Sequence, residues 1–537
     1  MIRKLALLTL PFGATAAFGA DNDTCRRPNI VFAFGDDYGR YASAYARADG
    51  DDGFSSLIST PNFDRVAGEG VLFTNAYAPA PTSTACRSSL MSGQYFWRTG
   101  LAAFLRGKWD ESIPSFPLIL EADGYHVGFT YKAWGPGFEE NQPIGGTRTE
   151  YVGHGDLWDY FSIAVSEAGD NKDAAHHALL EEVRGNFCDF LAAREDGKPF
   201  FYWWGPRNTH RPWAQGSGKE LWGLDPDRLE GRMPDYLPDV PEIREDFADY
   251  LGECLAFDEG LGVLLEVLEE RGELENTIIV VSGDHGIPGF PRAKANLYDL
   301  GTRVALAVRW PAGIAGGRVV TDFVSLMDLA PTFLDYGESE IPDVMNGRSI
   351  RPLLESCRSG RVDKSRDCVV VGRERHNPTA RPGNLSYPSR AVITDRYKYI
   401  RNFEPARFPV GSVKDGLLDM DAGPTRKWFK NHLLDARYER EVNLGFGLRP
   451  YDELYDLRND PDEMDNLAGN PRYRHVLKKL SSRLDRILLD GADPRMASDV
   501  CIFESEEFCN WNPKGTRGKS LVNYRKKLDA ATTTPFR

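Results

Sequence analysis

Residues 29–40 read NIVFAFGDDYGR. From Asn29 to Gly35 the chain is almost continuously apolar, and two carboxylates, Asp36 and Asp37, follow at once. An unbroken apolar run of this length predicts a strand buried on both faces, as in a parallel sheet covered by helices. The pattern recurs in YHVGFTY (Tyr125 to Tyr131), PFFYWWG (Pro199 to Gly205), NTIIVVSG (Asn276 to Gly283) and VALAVRW (Val304 to Trp310). Helical stretches alternate with these runs, the longest reaching from about Ile243 to Arg271. The alternation predicts an α/β fold, a large mostly parallel sheet sandwiched by helices. Such sheets bind ligands beyond the carboxyl ends of their strands, and the polar clusters of this chain fall there.

After the helix-like DLAPTFLDY (Asp328 to Tyr336) the texture changes. SRAVITDRYKYIRNF (Ser389 to Phe403) alternates like two antiparallel strands around an Asp395-Arg396 turn, and Val476, Leu480, Leu484 and Leu488 mark one face of an amphipathic helix. A smaller C-terminal α+β subdomain is therefore expected over residues 365–537, after a main domain over 21–364. Residues 1–20, MIRKLALLTLPFGATAAFGA, read as a secretory signal: basic residues, an apolar core too short to span a bilayer, then Ala14-Thr15-Ala16 as a cleavage site. The expectation is an exported protein with no stable membrane insertion.

With 41% hydrophobic and 27% charged residues among 537, the chain has the composition of an ordinary globular protein. Its net charge of -14 disfavours nucleic acid and anionic lipid as partners. It leaves room for an anionic small substrate, because a local site can be positive. Eight cysteines are too few for a disulfide scaffold, but export would permit Cys357–Cys368 and Cys501–Cys509 pairs. Cys188 and Cys254 lie in helical patterns and read as buried thiols.

Adjacent carboxylates such as Asp36 and Asp37 repel one another unless a cation or basic group neutralises them. The run NTIIVVSGDHG ends likewise, in Asp284 and His285. Together these four could surround a divalent cation, and oxygen-rich ligation favours Ca²⁺ or Mg²⁺. A third stretch, PTSTACRSSLMSG (Pro81 to Gly93), is rich in hydroxyls but holds no histidine to activate one.

Taken together these pieces resemble the sulfatase family of the alkaline-phosphatase-like superfamily. That family carries Cys or Ser, any residue, Pro or Ala, any residue, Arg, then a small-residue turn ending in Gly. Ser83-Thr84-Ala85-Cys86-Arg87 followed by SSLMSG fits. The resemblance implies that Ser83 becomes formylglycine, made by a maturation enzyme able to act on serine, and that its hydrated form attacks sulfur. It implies Asp36, Asp37, Ser83, Asp284 and His285 as metal ligands, and Arg87 as the group holding the modified side chain. Cys86 is a bystander, because Arg87 would then follow it directly.

Lys132 in TYKAWGPG, His210 in NTHRPW and Lys294 in PRAKANLYDLG match the family's sulfate-pocket positions, with His210 the candidate proton donor to the leaving group. The family often places a histidine two residues after the pocket lysine; Trp134 stands there instead. GIPGFPRAKANLYDLGTRVALAVRWP looks closest to the heparan N-sulfatase branch and its bacterial carbohydrate-sulfatase relatives. In that branch the region of GRERHNP contacts substrate, which adds Glu374, Arg375 and His376 to Trp134 as substrate-binding candidates. The expected activity is removal of sulfate, as ester or sulfamate, from a carbohydrate. Two other readings share the residues: a metal-dependent phosphatase or phosphodiesterase using unmodified Ser83, and an inactive sugar-binding relative.

Overall fold

Each apolar run becomes a strand. A computed structural model describes residues 27–49, 53–137, 142–412, 414, 416–497 and 501–511; the signal sequence expected over residues 1–20 lies outside them. The main sheet contains β1 (Asn29–Gly35), β2 (Val71–Phe73), β4 (His126–Tyr131), β5 (Phe200–Gly205), β6 (Thr277–Gly283), β8 (Leu306–Arg309) and β9 (Arg318–Val320), in the order β4-β5-β1-β6-β8-β2-β9. Strands β4, β5, β1 and β6 run parallel, and β8 runs antiparallel to both of its neighbours. A small sheet joins β10 (Val324–Ser325), β3 (Ala76–Tyr77) and β7 (Arg303–Val304). The expected strand over Val304 to Trp310 is thus divided, because the chain passes from one sheet to the other at Ala305, whose N–H turns to the Gly39 carbonyl (3.4 Å).

Strand β1 explains why its sequence has no polar face. Val31 and Ala33 enter the cluster formed with the helices Lys172–Ala192 and Pro241–Glu270, while Ile30, Phe32 and Phe34 pack on the other side with Phe333 and Trp203. Each fully buried side chain of this size contributes about 1.5–3 kcal/mol. Pro241 opens the longest helix at its first turn, where a missing N–H costs nothing.

The C-terminal sheet is antiparallel, ordered β11 (Cys368–Arg373), β12 (Ser389–Thr394), β13 (Tyr397–Asn402) and β14 (Asp452–Asp456), with the β12–β13 turn at Asp395-Arg396. The helix Arg474–Asp490 covers it through Leu480, Leu484 and Leu488, which share a cluster with Ala80, Ala85 and Phe96. The subdomain therefore packs directly on the segment that carries Ser83. The two expected disulfides are not formed: among the described residues every cysteine is a free thiol. Cys357 is exposed while Cys368 is half covered at the start of β11, and the Cys509 thiol turns to the Phe503 carbonyl (3.9 Å) rather than to Cys501.

Candidate active site

Register brings the site together. Gly35 pairs with Gly283 and Tyr131 with Gly205, so β1, β6, β4 and β5 end at one level. Asp36 and Asp37 leave β1 there, Asp284 and His285 leave β6, Lys132 leaves β4, and the exit from β5 runs on to His210. The Asp37 N–H donates to Asp284 Oδ1 (2.8 Å), Thr209 Oγ1 donates to the Asp36 carbonyl (2.6 Å), and Tyr250 donates to the Asp37 carbonyl (2.9 Å). Asp37, Tyr131 and Ala295 all adopt left-handed backbone conformations, with φ of 66°, 68° and 66°. Each is costly for a residue with a Cβ, and each stands at or beside a polar group of the site, where surrounding bonds hold it.

Ser83 is the first residue of the helix Ser83–Ser92, whose free N–H groups favour an anion. Its Oγ donates to Asp36 Oδ1 (3.2 Å) and lies 3.1 Å from His285 Nε2. Four residues on and so on the same helical face, Arg87 is fully buried. Its Nε donates to Asp284 Oδ2 (3.0 Å), its Nη2 to Asp36 (3.3 Å) and its Nη1 to the Lys132 and Ala133 carbonyls (3.0 and 3.2 Å). Cys86 points into the core, and burial pushes its thiol far above the ordinary range, away from the thiolate a nucleophile needs.

Two lysines complete a cationic ring. Lys132 Nζ pairs with Asp36 Oδ1 (2.5 Å), and Lys294 Nζ pairs with Asp37 Oδ2 (2.7 Å) and Asp421 Oδ2 (3.2 Å). Burial opposes ionisation of Asp36, but Lys132, with Arg87, holds its carboxyl well below the usual range. Asp37 moves the other way: burial, aided by the charges of Asp36 and Asp284, lifts it to about 7 against the pull of Lys294 and His285. Burial lowers Lys132, whereas Asp37 and Asp421 outweigh burial and raise Lys294. His210 Nδ1 donates to the Arg211 carbonyl (2.5 Å), and burial together with Lys294 lowers its pKa to about 4.

The site opens on a cavity of about 520 Å³ lined by Asp36, Lys132, Trp134, Arg207 and His210 among others. Trp134 is mostly buried, edge-to-face on Trp109 at 5.4 Å, and offers the cavity a rim. Glu374 and Arg375, expected to bind substrate, are instead internal. Glu374 pairs with Arg390 and Arg495 (2.8 and 2.6 Å), and Arg375 donates to the Asn384, Cys509 and Trp511 carbonyls. Glu374 is spent in buried ion pairs and Arg375 on backbone carbonyls, rather than presented to a ligand. His376 does reach the site from behind: its Nδ1 shares a 2.6 Å hydrogen bond with Thr82, the residue before Ser83. Sequence reasoning missed Asp421 altogether.

Comparison with known proteins places the chain in a family. The sulfatase family model matches residues 28–339, and the model for the C-terminal part of N-sulphoglucosamine sulphohydrolase matches residues 283–408. The chain belongs to the sulfatase family. It is 27% identical over 525 residues to human N-sulphoglucosamine sulphohydrolase, covering 90% of this chain and 94% of that protein. An N-acetylglucosamine-6-O-sulfatase of Bacteroides thetaiotaomicron is also 27% identical, covering 89% of this chain and 90% of that one. The fold matches, with a TM-score of 0.62 and 20% identity, a solved protein in complex with its substrate D-glucosamine-2-N,6-O-disulfate, over 88% of this chain and 100% of that one.

The residues of this sulfatase fit the metal ion its family uses. Ligand atoms of Asp37, Asp284 and His285 lie within 4.8 Å of one another, as do those of Asp36, Asp37 and His210. Asp37 Oδ1 is buried and accepts no hydrogen bond, an oxygen left over for a cation. His285 Nδ1 lies 3.2 Å from the Gly286 carbonyl, which leaves the Nε2 lone pair facing the carboxylates. Three carboxylates with one imidazole make a hard, oxygen-dominated donor set.

Proposed function

We propose that this sulfatase is exported and releases sulfate from a carbohydrate, using a formylglycine made from Ser83 by a separate maturation enzyme. In this reading Asp36, Asp37, Ser83, Asp284 and His285 hold Ca²⁺, with Mg²⁺ the alternative. One observation carries it: the Ser83 side chain stands at a helix N-terminus, between Asp36 and His285, ringed by Arg87, Lys132 and Lys294. That ring complements the oxygens of a sulfate as charge develops on them. The cation supplies Lewis acidity and favours the deprotonated nucleophile, and the aldehyde supplies a hydrated carbon with two hydroxyls.

The proton path follows from the hydrogen bonds of the chain itself. With Nδ1–H committed to the Arg211 carbonyl and its pKa near 4, His210 is neutral at pH 7 and presents a bare Nε2. It accepts a proton before it can give one. Lys132, whose ammonium burial makes more acidic, stands on the same cavity wall and is the better resting donor. The carbohydrate part rests on the activities of the relatives and on a cavity of about 520 Å³, in the range of small-molecule sites.

The test is peptide mass spectrometry of the Ser83 fragment from the native host, run beside sulfate-release assays on sulfated sugars. A fragment lighter by two hydrogens, with sulfate released, is the expected result. Unmodified Ser83 with phosphate-ester turnover and no sulfate release would transfer the assignment to phosphoryl chemistry.

A further inference from the structure

Asp421 has no place in a site built only to hold sulfate. Lys294 is already paired with Asp37 at 2.7 Å, yet Asp421 Oδ2 stands 3.2 Å from the same Nζ. A second carboxylate there weakens the attraction for an anion. Asp421 is ionised nonetheless: burial opposes its charge, but the Lys294 ammonium beside it holds it far below the usual range. Its side chain keeps 27% of its surface exposed, where that of Asp37 keeps none. It therefore retains room to accept hydrogen bonds from a ligand beside His210.

The segment carrying Asp421 is pinned on both sides. Before it, Asp419 pairs with Arg373 and Arg381 (3.0 and 2.6 Å) and accepts the Asn377 N–H (2.7 Å). After it, Thr425 donates through its N–H and Oγ1 to Asp246 (3.1 and 2.6 Å), the carboxylate that also grips Arg211 by two bonds. A Cβ on Gly423 would lie 2.4 Å from Arg211 Nη1, so the segment rests directly on the residue after His210. A carboxylate held this firmly is preorganised for recognition.

We propose that Asp421 is a specificity residue of the sulfatase reaction. Its carboxylate accepts a hydrogen bond from an uncharged hydroxyl or an ammonium on the sugar that bears the sulfate, and it turns away sugars with a second anionic group at that position. The proposal rests on the carbohydrate reading above.

Titration calorimetry on the full chain tests it, in a Ser83→Ala background that prevents turnover. The probes are inorganic sulfate, N-sulfoglucosamine and N-acetylglucosamine 6-O-sulfate. Adding Asp421→Ala is expected to weaken at least one sugar sulfate about tenfold, the scale of a hydrogen bond to a charged group, while inorganic sulfate binds more tightly. Asp421→Asn, which keeps an acceptor oxygen, is expected to recover part of the sugar affinity. Shifts of sulfate and sugar in the same direction, with either variant, would reduce Asp421 to a support for Lys294 and overturn the proposal. A parent protein that binds the sugars no better than sulfate overturns the carbohydrate reading itself, and this proposal with it.

Discussion

Gly35 and Gly283 face each other in register at the carboxyl ends of β1 and β6, and both press on Tyr38. A Cβ on Gly283 would lie 2.0 Å from the Tyr38 carbonyl oxygen, and one on Gly35 would lie 2.7 Å from Tyr38 Cβ. This closeness lets the Asp36-Asp37 turn fold back until the Asp37 N–H reaches Asp284 at 2.8 Å. Gly283→Ala must push the turn away, at a cost of about 1–3 kcal/mol for overpacking. We expect a lower Tm together with loss of activity out of proportion to the fraction unfolded. An alanine variant with unchanged turnover would show that the turn does not set the ligand geometry.

The Lys132 side chain touches the site through one atom, so its removal should act on the transition state more than on the fold. Lys132→Ala leaves Asp36 paired with Arg87 at 3.3 Å. The expected effect is a fall in kcat of about 10²–10³, the scale for losing one donor to a developing anion. Lys132→Arg should rescue little, because a planar fork cannot replace a point charge that already sits 2.5 Å from a carboxylate. Steady-state kinetics decide: a rise in KM with kcat unchanged would assign Lys132 to ground-state binding alone.

The divalent cation should appear as stability. Asp37 and Asp284 are wholly buried with several charges close by, and a bound cation relieves that repulsion. Chelation is expected to lower Tm, and Ca²⁺ at about a hundred times its Kd to restore about 2.7 kcal/mol. Asp37→Asn should melt at nearly the same temperature with and without chelator. A chelator-insensitive wild-type Tm would contradict the ligand assignment.

Much of the site was legible because its residues follow continuous apolar runs, and parallel strands of matched register must end together. Asp36, Asp37, Asp284, His285 and Lys132 are of this kind. Asp421 was not, since DMDAGPT carries no periodicity or spacing that distinguishes it from a surface loop, and only packing of the C-terminal subdomain brings it to Lys294. The charged run at Glu374 and Arg375 misled for another reason. Their expected contact with substrate rested on the resemblance alone, and here Arg390, Arg495 and buried carbonyls satisfy them internally. The Cys357–Cys368 and Cys501–Cys509 pairs rested on spacing, which says nothing about where thiols point.

Glu253 offers a test of the long helix that backs the site. Its side chain is buried, accepting the Ser162 N–H (3.3 Å) and an Asn208 amide hydrogen (3.1 Å), and burial lifts its carboxyl from 4.5 to about 7. The raised value means the folded state holds the proton more tightly than the unfolded chain does. Its contribution to stability is therefore full below about pH 4.5, declines as pH rises toward 7, and is constant above. The loss over that window is on the order of 3 kcal/mol. Glu253→Gln removes the titration, so the Tm of the variant relative to wild type should rise as pH goes from 5 to about 8. Thermal melts across that range check it. A difference that stays level with pH would mean that Glu253 is ionised in the folded protein at acid pH and that its two hydrogen bonds outweigh burial.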